Sequence, residues 1–309
     1  MDYTSYIQMQ PEVRDALGRG APVVALESTI VAHGMPFPQN LESAREVEAI
    51  VRSLHAFPAT IAIVHGRIKI GLSPEELELL ARSGNSVGKV SRRDFGHYLS
   101  NPHLIGATTV ASTMMCASMA GIRVFVTGGI GGVHRGAEQT GDVSADLPEF
   151  TRSGVAVVSA GAKAILDIPK TLEYLETLGI PVIGFRTAEF PAFYSRSSGL
   201  MLESVVDDFT SLANYLRAHW AVAPNSGVLI ANPVPQEYQI PREEIEPWIL
   251  QVLAEASSQG ISGKSLTPYL LRRLAEVTAG RSLVTNRALV RHNASIGAAL
   301  AVELARNLP

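Results

Sequence analysis

Short apolar runs separated by helical stretches are the strongest constraint on how this 309-residue chain folds. They fall at residues 23–26, 60–64, 124–127, 155–159, 182–185 and 228–231. Such runs need cover on both faces, and a sheet flanked by helices provides it. Helical patterns occupy 40–54, 108–120, 169–178, 242–259, 268–279 and 288–307, and residues 1–20 read as a short helix opened by Pro11. Ser73, Pro74, Glu75 and Glu76 form a capping box with proline at the first helical position, so a helix starts there. Residues 60–64 and 67–70 flank His65-Gly66 and read as a hairpin, so mixed pairing is expected. The fold class is α/β. No repeat, linker or low-complexity tract marks a boundary, and one domain over residues 1–309 is expected.

Composition narrows the function. Net charge is -3, from 26 basic and 29 acidic residues, with no run of Lys or Arg. Nucleic acid is therefore not an expected partner. The lone Cys116 can form no internal disulfide, which fits a reducing compartment. No leader pattern or membrane-length apolar run is seen, so a cytoplasmic protein is expected, with no membrane partner. The basic residues are 21 Arg and only five Lys: Lys69, Lys89, Lys163, Lys170 and Lys264. Arg cannot replace Lys where a neutral amine must act as nucleophile; on this count alone, codon bias is the better explanation of the ratio.

Four segments have a composition that plain structure does not require. Glu27 directly follows the apolar run 23–26, where desolvating a carboxylate is unfavourable. Lys89, Arg92 and Arg93 lie beside Gly88 and can hold an anion, or simply line a solvated loop. Residues 127–136 carry a cluster of glycines, then His134 and Arg135; glycines after a strand can turn N–H groups toward a phosphate. The same loop continues into Asp142, Ser144 and Asp146, oxygen donors at alternate positions that suit a hard cation. Finally, Lys163 is the only charge between Arg152 and Asp167, an apolar setting that favours a neutral amine or one that snorkels to water.

In this order, the motifs Ala-Leu-Glu-Ser-Thr-Ile, Lys-Val-Ser-Arg-Arg-Asp, Thr-Gly-Gly-Ile-Gly-Gly-Val-His-Arg-Gly, Asp-Val-Ser-Ala-Asp-Leu and Ala-Gly-Ala-Lys closely resemble the pseudouridine-5′-phosphate glycosidase family, also called indigoidine synthase A-like. The similarity runs from about Pro22 to Ala305. It implies an α/β fold with coiled, mixed sheets flanked by helices, and a homotrimer. The implied reaction is reversible cleavage of the C–C glycosidic bond of pseudouridine 5′-phosphate to uracil and ribose 5-phosphate, with Mn2+ or another divalent cation. Carried over by motif, Lys163 is the nucleophile, Glu27 the proton donor and Asp142 the metal residue. Lys89, Val110, Ser144 and Asp146 would line the substrate site, joined by Thr127, His134 and Asn293. Ser159 stands where many members carry Cys, and His292-Asn293 where an Asn pair is common.

The departing atom in this reaction is C5 of uracil, so an ordinary two-carboxylate glycosidase mechanism does not apply directly. An amine opens another route, through a lysine Schiff base. It requires that Glu27 spend time protonated and Lys163 spend time neutral. The glycine loop with His134 and Arg135 would take the 5′-phosphate. A related C-nucleoside enzyme of secondary metabolism, or a non-catalytic sugar-phosphate sensor, are the other readings.

Overall fold

The computed structural model describes residues 3–306. Its eleven strands are β1 (Ile7–Met9), β2 (Val23–Leu26), β3 (Phe57–Val64), β4 (Arg67–Ile70), β5 (Gly88–Val90), β6 (Gly106–Thr108), β7 (Val124–Val126), β8 (Ala156–Ser159), β9 (Val182–Phe185), β10 (Ser204–Val206) and β11 (Val228–Ala231). They form one connected system in the order β1-β4-β3-β2-β7-β8-β11-β9-β10, with β6 bridging β3 to β5. Pairing is parallel except for β3 with β4 and β3 with β6. The sheet is thus mixed and mostly parallel, as the alternation of apolar runs, helices and one hairpin requires. That hairpin turns at His65 and Gly66, both at positive φ, as a tight two-residue turn demands.

Every residue of β2, β7, β8 and β11 is buried. Their lack of polar alternation has this cause: helices cover both faces. One long helix, Arg281–Ala305, packs across β2, β7 and β8 and against the helix Gln39–Ser53. The capping box is present: the Ser73 hydroxyl accepts from Glu76 N, and the Glu76 carboxylate accepts from Ser73 N.

Three differences from the sequence reading have physical reasons. The first twenty residues are not one helix. Ile7–Met9 is an edge strand parallel to β4, and a helix begins only at Pro11, whose missing N–H suits a first turn. The last helix starts at Arg281 and not at residue 288. Ser282, Thr285 and Asn286 are buried there, and these polar residues interrupt the apolar period that marks a helix. The sequence pattern also does not mark the helix Phe209–Val222, which is capped by the Asp208 carboxylate accepting from Ser211 N. No helix among the described residues is long and apolar enough to cross a membrane.

Candidate active site

Strands β2, β7 and β8 are parallel neighbours, so their carboxyl ends lie along one edge of the sheet. In open α/β sheets this edge is where ligands bind. A cavity of ≈ 650 Å³ is found there, and both Glu27 and Lys163 line it.

Glu27 is the residue after β2. Its two carboxylate oxygens each accept from a hydroxyl, Thr29 on one side and Thr127 on the other. The backbone beside it is pinned by Ser28, whose hydroxyl donates to the Ile61 carbonyl at 2.6 Å and accepts from Thr108 N at 2.9 Å. Lys163 lies beyond β8, where a bridge between Ile130 and Ala162 continues the parallel pairing. Its N–H donates to the Ile130 carbonyl at 3.0 Å, and its Nζ donates to the Gly129 carbonyl. The amine is therefore held against a backbone dipole inside the cavity and is not a snorkelling surface group.

The five lysines divide cleanly. Lys69 pairs with Glu76, Lys170 with Glu138 and Asp167, and Lys264 with Asp94. Lys89 and Lys163 line the cavity and make no ion pair within 4.0 Å among the described residues. Burial pushes the Lys89 amine below the usual lysine range, and the Lys163 charge pushes the same way, against Asp146 and Glu27. Two amines thus share one cavity, where like charges repel.

Part of the glycine loop is tied into the fold through its N–H groups: Thr127 to Val158 O, Ile130 to Gly161 O, Gly131 to Asp146, Val133 to Thr171 and His134 to Asp142 O. Gly128 and Gly129 line the cavity. The glycines permit close approach: a Cβ on Gly131 would sit 2.2 Å from Ser144 Oγ, and one on Gly129 2.5 Å from the Phe193 ring. Arg135 does not line the cavity. Its guanidinium grips Glu246 at 2.5 and 3.2 Å and reaches the Ala164 and Leu166 carbonyls, tying the Lys163 loop to the helix Arg242–Ser258.

The other expected residues fall into two groups. Lys89, Val110, His134, Asp142, Ser144 and Asp146 all line the cavity. Val110 opens the helix Val110–Ala120, whose first turn faces the cavity. Asp146 is buried, with one oxygen accepting from Ala111 N and the other from Gly131 N, both at 2.8 Å. Its carboxylate staples that helix to the glycine loop. Ser144 Oγ accepts from Asp146 N at 3.2 Å. His134 Nε2 is 4.0 Å from Asp142 Oδ2. Burial pushes the His134 imidazole below its usual range, Asp142 pulls it back, and the two lysines push it further down.

Thr127 and Asn293 do not line the cavity. Thr127 acts through Glu27. Asn293 is fully buried behind it, donating to the Thr127 carbonyl at 2.8 Å and accepting from Asn232 Nδ2 at 2.8 Å. The asparagine that reaches the cavity is Asn286, one heptad earlier on the same helix face, about 10 Å away at 1.5 Å rise per residue. Its Oδ1 is buried and has no partner among the described residues. His33 also lines the cavity, its Nε2 without a partner among the described residues and its pKa pushed down by burial and then by Lys89. Neither residue belongs to the motifs that the sequence singles out. The available signal was polarity inside a helix, Asn286 beside Thr285 among apolar neighbours. Arg93 and Lys264 complete the cationic rim, while Arg92 is spent on buried Glu149 through two bonds of 2.6 Å.

Among the described residues no three His, Cys, Asp or Glu side chains converge on a common metal position. Asp142 offers one carboxylate to the cavity, and both Asp146 oxygens are already committed.

Comparison with known proteins agrees with this architecture. Residues 12–303 match the family described as indigoidine synthase A like protein. A protein of Caldanaerobacter subterraneus subsp. tengcongensis named pseudouridine-5′-phosphate glycosidase is 55% identical over 97% of this chain and 97% of its own. One of Deinococcus radiodurans with the same name is 56% identical over 98% and 96%. Among solved structures, the prealnumycin C-glycosynthase AlnA in complex with ribulose 5-phosphate superposes with a TM-score of 0.89 at 37% identity, covering 97% of each chain. An indigoidine synthase A-like protein of Thermotoga maritima gives 0.88 at 38% identity, covering 97% of each chain. With that match across its length, and with a mostly parallel sheet that shares their shape, this chain belongs to the indigoidine synthase A-like family.

Proposed function

We propose that the protein is a pseudouridine-5′-phosphate glycosidase that reversibly cleaves the C–C glycosidic bond to uracil and ribose 5-phosphate through a Schiff base on Lys163. The observation that carries the reading is a carboxylic acid and an ion-pair-free lysine lining one cavity, Glu27 and Lys163. The names of the relatives supply the substrate. The C-glycosynthase bound to a pentose phosphate supports chemistry at a C–C glycosidic bond in this fold.

In the proposed sequence, neutral Lys163 attacks C1′ of the ribose while Glu27 gives its proton to the ring oxygen. The C1′–O4′ bond breaks and the sugar opens as an amine adduct. The adduct ammonium loses its extra proton to cavity water, which restores a nitrogen lone pair. Uracil C5 takes a proton from reprotonated Glu27, and the lone pair forms an iminium as the C1′–C5 bond breaks with its electrons going to uracil. Water adds to the iminium and gives a proton to the Glu27 carboxylate; the C–N bond then breaks as the new hydroxyl proton passes to nitrogen, and ribose 5-phosphate leaves with Lys163 and Glu27 restored. Thr29 and Thr127 hold the Glu27 carboxyl in place, and the Gly129 carbonyl holds the amine.

Recognition divides by charge. Lys89, Arg93 and His134 suit the 5′-phosphate. The Asn286 Oδ1 suits an N–H of the base, since a buried acceptor without a partner is destabilising until a ligand donates to it. A divalent cation such as manganese fits only as a largely hydrated ion on Asp142, with Ser144 close by. It would order waters and sugar hydroxyls and offset phosphate charge. Assembly as a homotrimer and residence in the cytoplasm belong to the same proposal. Ultraviolet monitoring of uracil release from pseudouridine 5′-phosphate with added Mn2+ tests the function; intact substrate after prolonged incubation would refute it.

A further inference from the structure

Glu27 lies between two hollows. Besides the main cavity it lines a small chamber of ≈ 30 Å³ on its other side, together with Ser43, Thr60 and Thr127. That volume holds about two waters, and three hydroxyls and a carboxyl give them partners. The chamber is bounded otherwise by apolar side chains such as Val47, Val126 and Val290 and by Asn40, whose amide is committed to the backbone of Val31, Ala81 and Leu41, and Lys163 and Lys89 do not line it.

Thr60 leads out of this chamber. It sits on β3 with 2% exposure, and its hydroxyl donates to Glu48 Oε1 at 2.5 Å. Glu48 belongs to the helix Gln39–Ser53, one turn before Arg52, which is 46% exposed and pairs with Glu12. Burial raises the Glu48 pKa, while Thr60, Arg52 and Arg45 oppose the rise and Glu12 adds to it. The proposed mechanism has no use for this carboxyl group, although its burial is unfavourable.

We propose that Glu48 and Thr60, through water in the rear chamber, form the route by which Glu27 regains its proton from solvent while substrate fills the main cavity. The proposal rests on the reading of Glu27 as the acid. After Glu27 has given its proton to the ring oxygen, chamber water protonates the carboxylate. When Glu48 is protonated the bond to Thr60 is reversed: Glu48 gives its proton to the Thr60 oxygen as the Thr60 hydroxyl turns and gives its own to that water, and solvent reprotonates Glu48. Each group ends as it began, and one proton has moved inward. Glu48 and Thr60 are positioning residues that touch no substrate.

The test compares Glu27→Gln, Glu48→Gln, Thr60→Val and Thr60→Ser in the full-length enzyme on pseudouridine 5′-phosphate, in H2O and D2O. Glu48→Gln and Thr60→Val are expected to lower kcat about tenfold with KM unchanged, a fraction of what direct general acid catalysis contributes. The solvent isotope effect on kcat should increase in both. Thr60→Ser, which keeps the hydroxyl, should recover most of the loss. A Glu48→Gln enzyme with wild-type kcat, or one whose kcat falls with no change in isotope effect, overturns the relay. Should Thr60→Val not fold, Glu48→Gln alone decides, because the amide keeps the shape and the acceptor for Thr60. A Glu27→Gln enzyme as active as wild type removes the acid assignment and the relay together. Loss in Glu27→Gln without loss in Glu48→Gln removes the relay alone.

Discussion

The two walls of the cavity are built by different means. On the inner wall, at the ends of β2, β7 and β8, Glu27 is held by two hydroxyls and Lys163 by a carbonyl, with Asn293 bracing the Thr127 backbone behind them. On the outer wall, Lys89 is half-buried without an ion pair among the described residues and Arg93 is exposed, and Lys264 is tied to Asp94 at 2.7 Å. Directional hydrogen bonds fix atoms to within tenths of an ångström, as bond-making requires. Net charge in a partly buried rim attracts an anion without fixing it closely. The inner wall should therefore govern kcat and the outer wall KM.

The largest test of this division is Lys163→Ala, expected to remove at least about 10⁴-fold in kcat, as loss of a nucleophile does elsewhere. Glu27→Gln should follow, at about 10²–10⁴-fold. An equal loss of binding and turnover in either variant would erase the distinction between the walls. Lys89→Met should raise KM well over tenfold. It should also raise the melting temperature of the ligand-free protein by about 2 °C, because a half-buried cation without an ion pair is removed. A lower melting temperature would show that Lys89 has a partner in solution. Asn293→Ala should cost about 1–3 kcal/mol of stability, since the Thr127 carbonyl loses this donor and the Asn232 amide keeps only the His292 ring beside it, and should change kcat less than either inner-wall substitution.

The smallest expected effect concerns pH. Burial depresses His33, His134 and His292 below the ordinary imidazole value of 6.5. The unfolded chain then binds protons more readily than the folded one, so the stability these histidines contribute is full above pH 6.5 and declines as pH falls. Melting temperature measured between about pH 7.5 and about pH 5 should decrease toward acid. Added phosphate should lessen the decrease if His134 gains an anionic partner from it; no change with phosphate would place the anion elsewhere.

Much of the inner wall was legible in the sequence because it lies in continuous motifs after short apolar strands. Glu27 follows one strand, the glycine loop a second, and Lys163 a third. The order β2-β7-β8, which makes them neighbours, was not legible, since it depends on crossovers between distant segments. Edge strands β1 and β10 are three residues each, too short to carry a period. Arg135 reads as a phosphate ligand because nothing local reveals Glu246, 111 residues away. Asn286 and Asn293 share a helix face, and only the packing of that helix decides which one reaches the cavity. The glycines at 129 and 131 stand out in the sequence with good reason, since a side chain at either would collide with Phe193 or Ser144.

Borohydride reduction of the wild-type protein in the presence of ribose 5-phosphate, followed by peptide mass mapping, tests the central claim most directly. A stable pentose-phosphate adduct on the Lys163 peptide, absent from Lys163→Ala, is the expected result. An unlabelled protein that still releases uracil, or a label carried by Lys89 instead, would contradict it.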